Sequence, residues 1–278
     1  LNNNLHTLVV KPFTTRVSEA KKLIAMKKHK NLLGLVEFHK RFDKHNVLLK
    51  NSYESQKLGK PLYFNVEYSQ KKIIPEKIFK NWVDKTNILQ YLGVHYIDLV
   101  YFVTKATPIR VLAMGQKNWL KKKGINTFDS IQCLIEWKTK SNIKFNQTLV
   151  VNWIDPNNSS SMSLQKIKFC GTKGNYESDQ KSRGIKIISD GNDFQEPNPD
   201  FCQQFSLNDK YIQWQGYGIL SVINFLNGVN KISKSKTKLV KVLDSNTSNF
   251  EDALISTAVI EAAGKSLKNN FVWQEIKL

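Results

Sequence analysis

The chain has 278 residues, enough for one large domain or two modest ones with a sizeable buried core. Its 41% hydrophobic and 11% aromatic residues exclude a chain that is disordered throughout. The formal charge of +19 invites a nucleic-acid reading. Of the 42 basic residues, however, only Arg16, Arg41, Arg110 and Arg183 are arginine, the residue suited to bidentate phosphate and guanine contacts. A lysine excess spread along the whole chain reads as compositional bias, so no nucleic-acid partner is expected.

Cys133, Cys170 and Cys202 lie far apart, forming neither a CxxC pair nor a metal-ligand cluster. Buried free thiols in a reducing compartment, and no metal, are expected. No apolar run reaches transmembrane length and no signal peptide is visible, so the expectation is a soluble cytoplasmic protein without a membrane partner. The sequence opens on Leu1, and residues 5–10 read as the end of a helix running into a strand. It therefore reads as starting inside a domain, as in a truncated or split gene or with an upstream part not included.

Thr7-Leu8-Val9-Val10 suits a buried parallel strand, ended by Lys11-Pro12 because proline donates no ladder hydrogen bond. Ser18 is a candidate cap for the helix that follows, with Ala20, Leu23 and Ile24 at helical spacing. Residues 32–38 read as a second buried strand and residues 43–56 as a second helix closed by Gly59. This order suggests the tail of a doubly wound α/β domain.

The pattern then changes to alternation. Leu62, Phe64, Val66 and Tyr68 share one strand face, as do Ile131, Cys133, Ile135 and Trp137, and Phe145, Leu149, Val151 and Trp153. Residues 165–170 and 184–189 continue the series, separated by turn residues such as Gly171 and Gly174. The expectation is a mostly antiparallel sheet interrupted by helices at residues 87–103, 218–229 and 250–267, with a polar lysine- and serine-rich connection at 232–241.

Three groups of residues could carry chemistry. Lys11 stands where a strand ends, the edge at which open α/β sheets bind ligands; a solvated strand-end lysine is the bland alternative. His95 shares a helical stripe with Leu92 and Leu99 and is either a satisfied core histidine or an acid/base group, with Asp98 one turn on. Trp82, Trp119, Asn152, Trp153 and Tyr176 suit either polyol binding or sheet packing.

Taken together and in order, these residues resemble the glucose–fructose oxidoreductase / inositol dehydrogenase (Gfo/Idh/MocA) family. Val9-Val10-Lys11-Pro12 is similar to its Glu-Lys-Pro strand end, Lys40-Arg41-Phe42 to the Arg-Phe after its last nucleotide-domain strand, and Gly93-Val94-His95-Tyr96-Ile97-Asp98 to its Gly-x-His-x-x-Asp helix. The alternating sheet, the Ala-rich terminal helix and a short strand at 271–276 match its C-terminal domain. The resemblance implies an α/β fold: the C-terminal part of a Rossmann-type NAD(P)-binding domain over 1–58, then a substrate-binding and oligomerisation α+β domain over 59–278 with a large open-faced sheet. It implies Lys11 and His95 as catalytic residues, Lys11 and Pro12 at the cofactor, and Arg41, Tyr91, Asp98 and Trp153 at the substrate. Val10 stands where the family usually has Glu, and Tyr91 where many members place Asp.

The implied activity is an NAD- or NADP-dependent dehydrogenase acting on a hydroxyl of a sugar, polyol or related small molecule, in a homo-oligomer paired through the open sheet face. No Gly-x-Gly-x-x-Gly occurs in the chain; Gly216-Tyr217-Gly218 lacks the third glycine. The alternative from another class is a cofactor-free remnant or pseudoenzyme, serving as a ligand-binding or dimerisation module.

Overall fold

The computed structural model describes residues 1–189, 194–208, 211–235 and 245–278. Strand β1 (Thr7–Val10), helix α1 (Val17–His29), strand β2 (Gly34–Glu37) and helix α2 (Lys44–Glu54) open the chain. β1 and β2 pair in parallel, Val10 opposite Glu37, as expected, but only β2 is largely buried: no residue of β1 is, and Val10 is 68% exposed. On its other edge β2 meets the segment before the last long helix: Val36 N–H donates to Ser248 O at 2.9 Å.

The alternating segments become β3 (Pro61–Lys71), helix α3 (Val94–Thr104), β4 (Thr107–Gln116), the short helix α4 (Trp119–Lys122), β5 (Ser130–Lys138), β6 (Lys144–Asp155), β7 (Ser163–Gly171) and β8 (Asn175–Asp179). A hairpin of β9 (Gln203–Asn208) and β10 (Tyr211–Gln215) leads to helix α5 (Tyr217–Ser235), helix α6 (Phe250–Lys268) and the terminal strand β11 (Gln274–Glu275). The large sheet has the order β11-β4-β5-β6-β3-β7-β8, and only its β3–β6 pair is parallel. The mostly antiparallel sheet of an α/β fold is therefore observed.

One face of this sheet is the core. Ile131 stands opposite Val151, Cys133 opposite Leu149 and Trp137 opposite Phe145, and all six are buried. α3 lies on this face and is buried on every side except at Tyr101. Gln147 links the layers, receiving the Trp137 indole N–H at 3.2 Å and donating to Tyr96 O at 3.2 Å. Gly93 permits the close approach: a Cβ there would stand 2.6 Å from Leu89 Cδ1 and 3.3 Å from Leu149 Cδ2. α6 packs beside α3 and over β4, where Ala113 N–H donates to Ser266 Oγ at 3.0 Å.

Phe145, Leu149, Val151 and Trp153 share the covered face, while the open one carries Leu112, Met114, Leu134 and Val150 among polar residues. Several expectations are corrected. Residues 184–189 form no strand; β8 takes the edge instead, with Ile187 making a lone bridge to Gln195. The helix expected at 87–103 divides into a wide π-turn at Leu89–Gly93 and α3. Part of the polar connection at 232–241 extends α5, and the rest lies outside the described residues. Ser18 does not cap α1, which begins one residue earlier; Val17 N–H donates instead to the Glu261 carboxylate at 2.6 Å, a remote acid on the positive end of the helix dipole. Of the three thiols only Cys133 is fully buried. No helix among the described residues is long and apolar enough to cross a membrane, and no cluster of three His, Cys, Asp or Glu there could hold a metal.

A buried ion pair joins the two parts of the chain. Arg41, in the tight turn His39–Phe42 after β2, donates Nη2 to Asp98 Oδ1 at 2.6 Å and Nε to Asp98 Oδ2 at 2.8 Å. Its Nη1 reaches Asp252 of α6 at 3.1 Å and Thr247 O at 3.0 Å. Arg41 is 1% and Asp98 2% exposed, so removing either partner strands a charge in the core. Arg41→Met should cost roughly 3–5 kcal/mol of stability in equilibrium urea unfolding. A loss below about 1 kcal/mol, typical of exposed pairs, would contradict this assignment.

Candidate active site

A cavity of about 840 Å³ opens beyond the carboxyl ends of β1 and β2. This is the edge of a parallel pair at which loops and helix ends converge on ligands. Lys11 follows β1, Glu37 closes β2, and the next turn adds His39 and Lys40. The π-turn before α3 brings Tyr91, and α3 itself brings His95.

Lys11 and His95, 84 positions apart in the sequence, thus line one space. Lys11 Nζ donates to the Tyr91 carbonyl and lies 3.8 Å from the centroid of its ring. Burial lowers the Lys11 pKa to about 8, with Glu37 pulling the other way. His95 is buried against Phe38 and His39, with ring centroids 6.0 Å and 4.5 Å away. Burial, then the charges of Lys11, His39 and Lys40, hold its pKa well below the ordinary 6.5. His95 is therefore a neutral imidazole at physiological pH, and its Nδ1 has no hydrogen-bond partner among the described residues.

Tyr91 packs in an aromatic group with Phe79, Trp82 and Trp153, at centroid distances of 4.8, 5.9 and 5.9 Å. Trp153 is buried behind it and donates its indole N–H to Gln70 Oε1 at 3.1 Å. Of the four residues expected at the substrate, only Tyr91 lines the cavity. Trp153 backs Tyr91, and Arg41 and Asp98 face each other in the core. Burial raises the Asp98 pKa against the pull of Arg41; burial also opposes the Arg41 charge, but Asp98 and then Asp252 hold the guanidinium above its usual value. Pro12 lies beside Lys11 and does not itself line the cavity. The other aromatic candidates scatter: Trp119 donates to Glu76 at 2.6 Å, and the Tyr176 hydroxyl donates to His45 O at 2.8 Å near α2.

Sequence reasoning missed the wall opposite Lys11. His39 Nδ1 is 3.0 Å from Glu37 Oε1, and Ser221 of α5 donates to the same carboxylate oxygen at 2.9 Å. Burial lowers the His39 pKa despite this acidic partner. Lys40, fully buried, donates to Gln165 Oε1 and faces the rings of Tyr68, Tyr96 and Tyr217 at 5.2, 5.3 and 5.9 Å. Burial brings its pKa down to about 7. The only sequence signal for this wall is that His39 and Lys40 directly follow an apolar strand.

The Gly216-Tyr217-Gly218 turn offers no phosphate cradle. Tyr217 N–H donates to Asp200 O and Gly218 N–H to Phe201 O, each at 2.8 Å. Gly216 has a φ of +122° and presses on Phe201 O, where a Cβ would come within 2.4 Å. These N–H groups are consumed by the loop that packs on them.

Residues 47–177 match the family described as GFO/IDH/MocA C-terminal domain. An uncharacterized oxidoreductase of Schizosaccharomyces pombe is 33% identical over 102 residues, which span 35% of this chain and 27% of that protein. Among solved structures, a probable dehydrogenase from Thermotoga maritima superposes with a TM-score of 0.70 at 15% identity, over 99% of this chain and 74% of that one. The scyllo-inositol dehydrogenase from Lactobacillus casei, solved with bound NAD(H) and scyllo-inositol, gives 0.68 at 15% identity over 97% and 73%. At such identities the structures show a shared fold, and residues 47–177, just under half of the chain, are similar to the GFO/IDH/MocA C-terminal domain.

Proposed function

We propose that this chain supplies the polyol-binding and proton-transfer part of an NAD(P)-dependent dehydrogenase. The observation that carries the reading is the convergence of Lys11 and His95 on one cavity at the carboxyl end of a parallel strand pair. The S. pombe relative, an oxidoreductase, and the polyol dehydrogenases among the structural matches support it. Residues 1–58 act as the end of the nucleotide-binding unit, and residues 59–278 shape the substrate site.

A substrate hydroxyl meets both groups. Lys11 has three N–H donors, of which one serves the Tyr91 carbonyl, leaving two to hold the hydroxyl oxygen. Its positive charge favours the alkoxide character that develops there. His95, held neutral by burial, accepts the hydroxyl proton. Tyr91 takes the position of the acidic residue found in many members and keeps the wall uncharged, since burial raises its pKa. Lys11 and Pro12 would lie at the nicotinamide end of the cofactor, whose chemistry would be that of a hydride acceptor. Within this chain the fit to a dinucleotide is confined to the nicotinamide end, at Lys11 and Pro12: the sequence holds no Gly-x-Gly-x-x-Gly, and the amides of the one Gly-x-Gly turn are used internally.

In a protein in which this chain is joined to a nucleotide-binding unit, Lys11→Ala and His95→Ala should each lower kcat by ~10²–10⁴ on a polyol panel while retaining the native circular dichroism spectrum. Wild-type turnover by either variant would reject the assignment. Absence of turnover in the unaltered protein, with ligand binding retained, would favour the cofactor-free binding module instead.

The pH profile is a second test. A lysine with a pKa of about 8 is charged at neutral pH and loses its proton as pH rises through that value. kcat/KM should therefore fall above pH 8, and an activity that stays flat to about pH 10, where an ordinary lysine titrates, would contradict the role of Lys11.

The open sheet face also serves assembly. Leu112, Met114, Leu134 and Val150 lie on it, with Met114 45% exposed, among polar neighbours such as Gln132 and Thr148. Pairing of two such faces would bury roughly 1,000 Å² or more and give a homodimer or a dimer of dimers. Light scattering at micromolar concentration should show at least a dimer, and a monomer mass for folded protein would overturn this part.

A further inference from the structure

The charges on the cavity wall do not balance. Four lysines, Lys11, Lys40, Lys71 and Lys181, line it with only two glutamates, Glu37 and Glu196. Both carboxylates are already engaged. Glu196 is held by Lys181 and by Ser160 Oγ at 2.5 Å, and Glu37 by His39 and Ser221.

Lys40 is the exceptional member. It is 1% exposed, yet no carboxylate among the described residues lies within ion-pair distance of it. Among the described residues its one hydrogen-bond acceptor is the neutral amide oxygen of Gln165, and three tyrosine rings surround it; Asp43 acts on it from beyond ion-pair distance and is itself paired with Arg183. An ammonium carries three donors, and a buried cation without a counter-charge is costly to hold. Lys11 adds to the imbalance: its close contacts are a carbonyl and a ring, and Glu37, the acid that acts on it, lies beyond ion-pair distance and is held by His39 and Ser221. Burial lowers the Lys40 pKa most; Asp43 opposes it, and the charges of Arg183 and Lys11 add to the lowering, so the net shift is that of a buried cation with no anion in contact.

We propose that the substrate is an anionic polyol, a sugar acid whose carboxylate is bound by Lys40 while one of its hydroxyls meets Lys11 and His95. This deepens, and rests on, the polyol reading above. A carboxylate fits better than a phosphate. No arginine lines the cavity, so it lacks the planar fork that favours multi-oxygen phosphate recognition. The carboxylate supplies the missing counter-charge, and Gln165 remains to orient the Lys40 ammonium.

The test compares two ligands of one ring shape by calorimetry on the 278-residue chain without nucleotide: sodium glucuronate and glucose. Glucuronate should bind about ten-fold more tightly, the effect of one charge-assisted hydrogen bond to a buried cation. In Lys40→Met the ratio of the two affinities should fall toward one. Should that variant fail to fold, the wild-type ratio decides alone. Equal or weaker binding of glucuronate overturns the sugar-acid inference and leaves the neutral-polyol reading standing. Sodium acetate competing as strongly as glucuronate overturns it as well, because the site would then recognise an anion without a polyol. Binding of neither sugar overturns the inference, while the polyol reading is judged separately by turnover in the nucleotide-competent protein.

Discussion

The site depends on the buried contact between Arg41 and Asp98. Arg41 belongs to the turn that leaves the parallel strand pair, and Asp98 to the helix that lies on the large sheet. Two hydrogen bonds of 2.6 and 2.8 Å fix that turn against α3, and Asp252 extends the grip to α6. Because His39 and Lys40 precede Arg41 directly, and His95 lies one helical turn before Asp98, the same contact sets the His39 and His95 rings 4.5 Å apart. Desolvating a guanidinium and a carboxylate is costly, and the bidentate geometry with further acceptors offsets that cost. The pair thus makes the relation between strand ends and helix a fixed quantity, as proton transfer to a positioned imidazole requires.

Burial is also the common cause behind the titration behaviour of the cavity. Lys11 at about 8 and Lys40 at about 7 are both lowered from 10.5 by loss of water, and His95 is held neutral by the same effect plus its cationic neighbours. A neutral base beside poised cations is suited to a reaction in which a hydroxyl loses its proton as negative charge gathers on oxygen. The aromatic group around Tyr91 excludes water from one side of this space and carries no charge of its own.

Much of the fold is legible in the sequence because its strands obey simple periods. The run Thr7–Val10 is mostly apolar, and β5 and β6 alternate with every second residue buried, Glu136 of β5 being the one buried residue out of step. β4 escaped notice because Pro108 and Gly115 interrupt it and its inward residues include the small Ala113, which accommodates α6 and Ser266. The N-terminus of α1 was misplaced because its cap, Glu261, lies 244 positions away, where no local pattern can report it.

The candidate site divides in the same way. Lys11 and His95 were legible because each sits at a fixed offset from a strand end or a glycine that the fold requires. Arg41 and Asp98 were misassigned as substrate contacts because spacing shows that a charged residue recurs beside an apolar one, not whether its partner is a ligand or another side chain. Lys40 was missed because a Lys-Arg pair reads as solvated surface. Only the packing of Tyr68, Tyr96 and Tyr217, from three separate elements, shows it to be enclosed.

Burial beside Lys11, His39 and Lys40 keeps the His95 imidazole neutral. The most direct measurement is an NMR titration of imidazole nitrogen shifts, with His95 assigned through His95→Gln. His95 should stay neutral through the physiological range, with a midpoint well below 6.5. A midpoint at or above 6.5 would contradict it, because the imidazole would then be solvated or paired with an acid in place of being enclosed among cations.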